Sequence, residues 1–199
     1  MRNDRAWHGC VFIAMSLDGF IAKPGGDLAW LTDPEPRAHT GSGTDHPARE
    51  WETFFPTVDA VVMGRRTYET VAGFDAWPFT GKPVIVLSAS PPSDPRIQPA
   101  HDVEEAAALL GSLGAQRAYI DGGQTIQSFL AAELIDEITI SIAPILLGRG
   151  HRLFGELDAD VHLTLRGHHA TASDGLVRAT YDVETRKDPA PSPEIPRFR

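Results

Sequence analysis

Two segments of this chain combine glycine, arginine and threonine in a way that can hold an anion. The first is Val61-Val62-Met63-Gly64-Arg65-Arg66-Thr67-Tyr68-Glu69, where a short apolar run ends in Gly-Arg-Arg-Thr and a helical pattern starts at once. A helix N-terminus presents free backbone N–H groups and the positive end of its dipole to a phosphate. Gly64 lets the backbone come close, Arg65 and Arg66 add charge-assisted hydrogen bonds, and Thr67 offers a hydroxyl. The second segment, Ile120-Asp121-Gly122-Gly123-Gln124-Thr125, repeats the strand–glycine–helix order and suits a pyrophosphate. Taken singly, the first also reads as an ordinary turn with two solvated arginines, and the second as a tight turn needing positive φ. Ser88 and Ser90, after Val84-Ile85-Val86-Leu87, add hydroxyls suited to a ribose or a phosphate.

Other chemistries fail on spacing. There is no Gly-x-x-x-x-Gly-Lys-Ser/Thr, so a P-loop is absent, and Gly41-Ser42-Gly43 and Gly148-Arg149-Gly150 do not complete a Rossmann fingerprint. No Gly-x-Ser-x-Gly elbow serves a hydrolase. The eight histidines contain no His-Glu-x-x-His, and no metal site is expected. His168 and His169 are adjacent on a predicted strand, which points them to opposite faces and predicts a surface pair.

The elements that must position these residues follow from periodicity. Residues 10–14 predict a first strand buried on both faces, and 16–22 a turn and a short extended piece. Residues 32–47, rich in Pro, Gly, Ser, Thr and Asp, predict a long loop of the functional or mobile kind. A helix is predicted over 48–55 with Trp51, Phe54 and Phe55 on one face, then a strand over 58–63 and a helix over 67–72. A strand over 83–87 is followed by prolines that end regular structure. Asp102 and Glu105 resemble a capping box that opens a helix to Leu113. Residues 118–120 form a short strand, and Ile126, Phe129 and Leu130 make one face of the next helix. Residues 137–143 alternate as a strand, and 161–167 with 176–184 predict a closing hairpin. Four prolines and scattered charges predict a disordered tail over 185–199, which leaves one domain over 8–184.

Strands alternating with helices, then strands following strands, predict an α/β sheet, parallel at first and antiparallel at its C-terminal edge. Ligands of such sheets bind beyond the carboxyl ends of the strands. Residues 64–67, 88–90 and 121–125 would then converge on one edge.

Bulk properties narrow the partners. A chain of 199 residues with 42% hydrophobic and 23% charged residues is an ordinary globular size and composition. The net charge of −9 argues against nucleic acid or an anionic membrane, and it makes a local Arg-Arg pair stand out. The tail is net +2, so the body is −11. One cysteine, Cys10, excludes an intramolecular disulfide and sits in an apolar run as a buried small hydrophobe. With no long apolar segment and no signal-like start at Met1-Arg2-Asn3-Asp4-Arg5, the chain reads as soluble and cytoplasmic.

Four stretches taken together resemble the dihydrofolate reductase-like superfamily. They are residues 14–22, Ala-Met-Ser-Leu-Asp-Gly-Phe-Ile-Ala, then Met63-Gly64-Arg65-Arg66-Thr67-Tyr68-Glu69, Ile120-Asp121-Gly122-Gly123, and residues 144–150, Pro-Ile-Leu-Leu-Gly-Arg-Gly. Their order and spacing are most similar to the branch related to the reductase domain of the riboflavin-biosynthesis deaminase-reductase. The resemblance covers residues 8–184. It implies a three-layer fold with helices on both faces of a mostly parallel mixed sheet, and a homodimer. It also implies NADPH as cofactor. Arg65 would approach the adenosine 2′-phosphate, and Arg66 and Thr67, beside Gly64, would hold the pyrophosphate. Ser88 and Ala89 would flank the adenosine, and Gly122, Gly123, Gln124 and Thr125 would close the other side of the pyrophosphate. Ala14 and the loop from Ser16 to Gly19 would border the nicotinamide. Gln124 stands where many dihydrofolate reductases carry arginine, which weakens the preference for NADPH over NADH.

The catalytic carboxylate of dihydrofolate reductases lies on the helix before the Met-Gly-Arg strand. Counting back from Gly64 reaches Ala48, with Glu50 and Glu52 nearby, so a true dihydrofolate reductase is not expected. Asp27 and Asp18 are the candidate catalytic carboxylates. Asp27 reads equally as a helix N-cap, and Asp18 as a turn aspartate in Ser-Leu-Asp-Gly. The deaminase half is absent, with no His-x-Glu and no Pro-Cys-x-x-Cys. Trp30, Trp51, Phe54 and Phe55 could wall a flat heterocycle or simply fill the core. Two functions are consistent with these residues. One is an NADPH-dependent reductase of a small planar heterocycle or ribosyl precursor. The other is a non-catalytic nucleotide-binding module on the same fold.

Overall fold

A computed structural model describes residues 5–32, 48–170 and 175–184. The long loop and the tail expected from composition lie almost wholly outside the described residues. The chain runs β1 (His8–Ser16), β2 (Phe20–Ala22), α1 (Ala29–Thr32), α2 (Trp51–Phe54), β3 (Ala60–Gly64), α3 (Arg65–Ala72), β4 (Val84–Leu87) and β5 (Ile97–Ala100). It continues through α4 (Val103–Ser112), β6 (Arg117–Asp121), α5 (Gly123–Ala131), β7 (Glu137–Ala143), β8 (His151–Arg152), β9 (Leu163–Ala170) and β10 (Val177–Val183). Eight strands form one sheet in the order β5-β4-β3-β6-β1-β7-β10-β9, and β2 pairs with β8 in a separate ribbon.

The sheet is parallel from β5 to β7, and β10 then lies antiparallel to both β7 and β9. Period-two alternation feeds two separate cores, because successive side chains on a strand point to opposite faces. Val11, Val62, Ile85, Ala118 and Ile120 pack with Ala106 and Leu110 of α4 and Ile126 and Phe129 of α5. Cys10, Val61, Met63, Val84, Val86 and Tyr119 pack with Phe54 of α2 and Tyr68 and Val71 of α3. The result is the expected three-layer α/β architecture.

Two departures have physical causes. Proline-rich composition hid β5, which carries Pro99 opposite Val86. It is an edge strand, where a missing N–H costs no ladder bond on the open side. The helix expected over 48–55 is a single turn, Trp51–Phe54, followed by a 3-10 turn at Phe55–Thr57. Its lead is extended because the sheet takes its donors: Ala48 N–H donates to His169 Nδ1 at 3.0 Å and Arg49 N–H to Thr180 Oγ1 at 3.0 Å. The capping box is half formed. Asp102 Oδ1 accepts the Glu105 N–H at 2.8 Å, while the Glu105 carboxylate turns back to His101.

Candidate functional site

Across the sheet, β1, β6, β3 and β4 are neighbours running in one direction, and their carboxyl ends are Ser16, Asp121, Gly64 and Leu87. Residues 64–67, 88–90 and 121–125 therefore meet on one edge. Gly64 is the N-cap of α3 and Gly122 the N-cap of α5, and neither receives a side-chain cap. Thr67 and Thr125 are each the third residue of their helix, and each crosses to the other's glycine. A Cβ on Gly122 would meet Thr67 Oγ1 at 2.4 Å, and a Cβ on Gly64 would meet Thr125 Oγ1 at 2.9 Å. Gly-x-x-Thr thus occurs twice, and the two copies interlock. Two helix N-termini are held side by side with their first amides directed to the same edge, as a pyrophosphate requires. Gly122 also has φ +88 and ψ 134, a backbone state that side chains resist.

At the β4 end, the Arg65 guanidinium is fixed by Glu69 at 2.7 Å and by the Ser90 carbonyl at 2.7 Å. Ser88 Oγ accepts the Ser90 N–H, and Tyr68 O–H donates to Asp94 at 2.6 Å, so the loop after β4 is tied to α3. Arg66, Ala89 and Gln124 are exposed, and Thr125 is buried.

Asp121, which the glycine motif passed over as a neighbour, ends β6 between β1 and β3. Burial pushes its carboxyl above the usual carboxylate range, against the opposing hydrogen bond from Gly122 N–H at 2.8 Å. Tyr119, two residues earlier on the same face, donates to the Phe12 carbonyl at 3.1 Å. Burial raises its phenol well above the ordinary value. Aromatic rings line this face. Trp51 stacks on Phe55 at 4.8 Å and meets Phe12 and Tyr119 edge-on at 5.4 and 5.7 Å. Ala14, half-buried, follows Phe12 on the same face of β1.

Farther along that face the floor is polar. In β7, Ile138 and Ile140 turn to the α5 side, while Thr139 and Ser141 turn to the α2 side and are buried. Thr139 and Thr180 hydroxyls share a hydrogen bond of 2.9 Å. Arg178 donates Nε to Ser141 Oγ at 3.0 Å and Nη1 to Glu50 Oε2 at 2.7 Å. Because His169 Nδ1 accepts the Ala48 N–H, its Nε2 carries the hydrogen and donates to Glu50 Oε1. The expectation of a surface histidine pair is therefore corrected: His168 is exposed, but His169 is buried. An alternating strand does send neighbours to opposite faces, and here the face that carries His169 is covered by Ala48 and Glu50 in the lead of α2. Thr139 and Ser141 alternate with isoleucine along β7, a pattern that does not by itself show that their face is also buried. Glu50 lies near the position to which counting back from Gly64 pointed, although its carboxylate is committed to His169 and Arg178.

The two sequence candidates for catalysis are occupied elsewhere. Asp27 is exposed, and its Oδ1 accepts the Ala29 N–H at 2.8 Å, as an N-cap does. Asp18 accepts from Ser16 Oγ at 2.6 Å, Leu147 N–H at 3.1 Å and Gly148 N–H at 2.7 Å. The Ser16 hydroxyl, helped by the two amides, draws its carboxyl down to about 2. Such a group does not store a proton near neutrality. Ser16 is itself buried and also accepts the Phe20 N–H, and Gly19 turns the chain at φ +85. Among the described residues, no group of three or more His, Cys, Asp or Glu side chains is placed to hold a metal ion, and no helix is long and apolar enough to cross a membrane.

Comparison with known proteins agrees with this layout. Residues 8–177 match the family model of the RibD C-terminal domain. The uncharacterized Bacillus subtilis (strain 168) protein YwjB is 33% identical over 162 residues, covering 79% of this chain and 88% of its own. A Shewanella sp. PV-4 crystal structure, of a protein ascribed to riboflavin biosynthesis, superposes with a TM-score of 0.74 at 36% identity, over 89% of this chain and 99% of its own. Dihydrofolate reductase from Enterococcus faecalis, complexed with NADP(H), shares the fold with a TM-score of 0.59 at 17% identity, over 92% and 99%. With the match spanning both glycine motifs and most of the sheet, the chain belongs to the RibD C-terminal domain family.

Proposed function

We propose that this chain is an NADPH-dependent reductase of a small planar heterocycle or its ribosyl precursor, carried by a single domain over residues 8–184. The observation that carries the reading is the interlocked pair of glycine-capped helix N-termini beside a carboxyl whose pKa burial raises. The residues present fit the cofactor: side chains at Gly64 and Gly122 would collide with Thr125 and Thr67, so the amides above them stay open. Gly64, Arg66, Thr67, Gly122, Gly123, Gln124 and Thr125 would hold the pyrophosphate from the two N-termini. Arg65, already aimed toward the loop after β4, would take the 2′-phosphate, with Ser88 and Ala89 along the adenosine. This arrangement favours NADPH over NADH. When bound, the cofactor supplies hydride from its nicotinamide ring.

The chain's own contribution is orientation and a proton. Ala14, two residues before the end of β1, and Asp121, at the end of the neighbouring β6, lie where the ring would sit. Phe12, Trp51 and Phe55 offer an apolar wall to a flat substrate, and the Glu50–His169–Arg178–Ser141 floor offers polar groups to its edge. Asp121 replaces Asp18 and Asp27 as the acid: its carboxyl oxygen holds a proton at a higher pH than a solvated aspartate and passes it to the reduced substrate. That carboxylate favours a turning-over reductase over a binding module.

NADPH at about 100 times its dissociation constant stabilises the native state by ~2.7 kcal/mol. For a domain of this size that raises Tm by about 5–10 °C. No shift with either NADPH or NADH sinks the cofactor reading. NADPH binding without accelerated oxidation across a panel of pyrimidines, pterins and flavin precursors returns the module reading.

A further inference from the structure

Asp18 makes more contacts than any turn aspartate needs, and they reach across the chain. Ser16 Oγ and the Leu147 amide both donate to Oδ1, and the Gly148 amide donates to Oδ2. The backbone repeats the tie, with Leu17 N–H to the Ile145 carbonyl at 2.9 Å and Leu153 N–H to the Gly19 carbonyl at 3.0 Å. Arg152 stacks over the Phe20 ring at 4.5 Å and sends Nη1 to the Asp18 carbonyl at 3.3 Å. The ribbon of β2 and β8 built this way lies on the start of α5. A Cβ on Gly123 would meet Ile21 Cδ1 at 2.8 Å and the Arg152 carbonyl at 3.1 Å. Gln127 Nε2 donates to the carbonyls of Arg152 and Leu153 at 3.3 and 3.1 Å.

Resting on the reductase reading above, we infer that Asp18 is a positioning residue. Its carboxylate clasps the turn after β1, which borders the nicotinamide in that reading, to residues 147–148, and this holds the β2–β8 ribbon against Gly123 on the nicotinamide side of the pyrophosphate. The chemistry requires a carboxylate because two amides and a hydroxyl all point at it, three donors that only an acceptor-only side chain satisfies together. Asparagine keeps one acceptor oxygen and turns its NH2 toward a donor, so it restores part of the clasp at most. The Ser16 hydroxyl orients the carboxylate, and Ser16→Ala loosens the clasp without removing its charge.

Two readouts test this in the full chain. Amide exchange at Leu147 and Gly148 should quicken about tenfold or more in Asp18→Ala, and less in Asp18→Asn and Ser16→Ala, as expected when bonds to a charged acceptor are lost. The affinity for NADPH should fall about fivefold to tenfold in Asp18→Ala. The affinity for adenosine 2′,5′-bisphosphate, which lacks the nicotinamide half of the cofactor, should stay within about twofold, on the ordinary scale of uncoupled sites. Equal loss of both probes means general destabilisation and overturns the proposal, as does unchanged NADPH affinity or unchanged exchange. If the native chain binds neither probe, the cofactor reading falls, and exchange then reports a tie with no cofactor role.

Discussion

The reciprocal glycine–threonine contacts make a quantitative prediction about two substitutions that look alike in sequence. Gly64 has φ −81, which any residue adopts, so Gly64→Ala is opposed only by the Thr125 hydroxyl 2.9 Å from the new Cβ. Overpacking of that kind costs about 1–2 kcal/mol. Gly122→Ala meets the Thr67 hydroxyl at 2.4 Å and in addition forces alanine into φ +88, ψ 134. Strain and clash together cost about 2–5 kcal/mol. Removing the opposing hydroxyl separates the two contributions. Thr125→Ala should rescue most of Gly64→Ala, giving a coupling of about 1 kcal/mol in a double-mutant cycle. Thr67→Ala should rescue only the steric part of Gly122→Ala, leaving a residual loss of about 1–3 kcal/mol that no change at position 67 recovers.

Urea unfolding with a free slope measures each corner of both cycles, and Tm should fall by about 2–4 °C per kcal/mol. Additive Gly64 and Thr125 effects, or complete rescue of Gly122→Ala by Thr67→Ala, would refute the interlock. NADPH affinity should follow the same order, because the added methyl sits above the amides assigned to the pyrophosphate.

Further outcomes follow from the remaining groups. Asp121 has a raised folded-state pKa, so its contribution to stability is fully present below the unfolded value and is lost as pH rises through the raised one. Asp121→Asn, which still accepts the Gly122 amide, should therefore gain stability over the native chain at pH 8, with the gap closing toward pH 4, while NADPH oxidation falls about 10²-fold. A variant that loses both stability and activity at pH 8 would contradict this. Arg178→Ala removes the hydrogen bonds to Ser141 and to the half-exposed Glu50, which keeps its partner His169, and the loss should cost about 1–2 kcal/mol, read as a lower urea midpoint. Burial pushes the Cys10 thiol up to about 12. A disulfide reagent should therefore leave it untouched in the native chain and label it on the unfolding timescale; fast labelling of folded protein would place Cys10 elsewhere.

The two glycine-capped helix starts were legible because backbone requirements write themselves into residue type. Gly64 and Gly122 are needed where amides must be approached, threonine recurs three residues later, and apolar runs before them announce the strands. β5 was not legible, since Pro99 argues against a strand until the strand is known to lie at the edge. β8 is two residues long, too short for any period. His169, Thr139 and Ser141 failed for a different reason. Alternation reports which residues share a face, but it cannot say what covers that face. Asp18 and Asp27 were found as carboxylates, yet composition does not reveal how many donors a carboxylate already serves. Asp121 stood inside a quoted motif, and its signal was the burial of the strand it ends.

These two kinds of legibility divide the site. In the proposed reductase the nucleotide side would rest on main-chain amides and on the glycines and threonines that leave them uncovered. The substrate side of the proposed reductase would instead rest on side chains from β7, β9 and β10 that reach one face: Ser141, His169 and Arg178, linked through Glu50 in the lead of α2. In β7 the alternate residues Ile138 and Ile140 pack in the other core, so Ser141 is separated from them by the sheet. On the proposed reading, substrate choice and cofactor binding are therefore carried by different residues. Exchanges at Glu50, Ser141, His169 and Arg178 should alter which heterocycle is reduced, and leave NADPH affinity where the two glycine-capped helices set it.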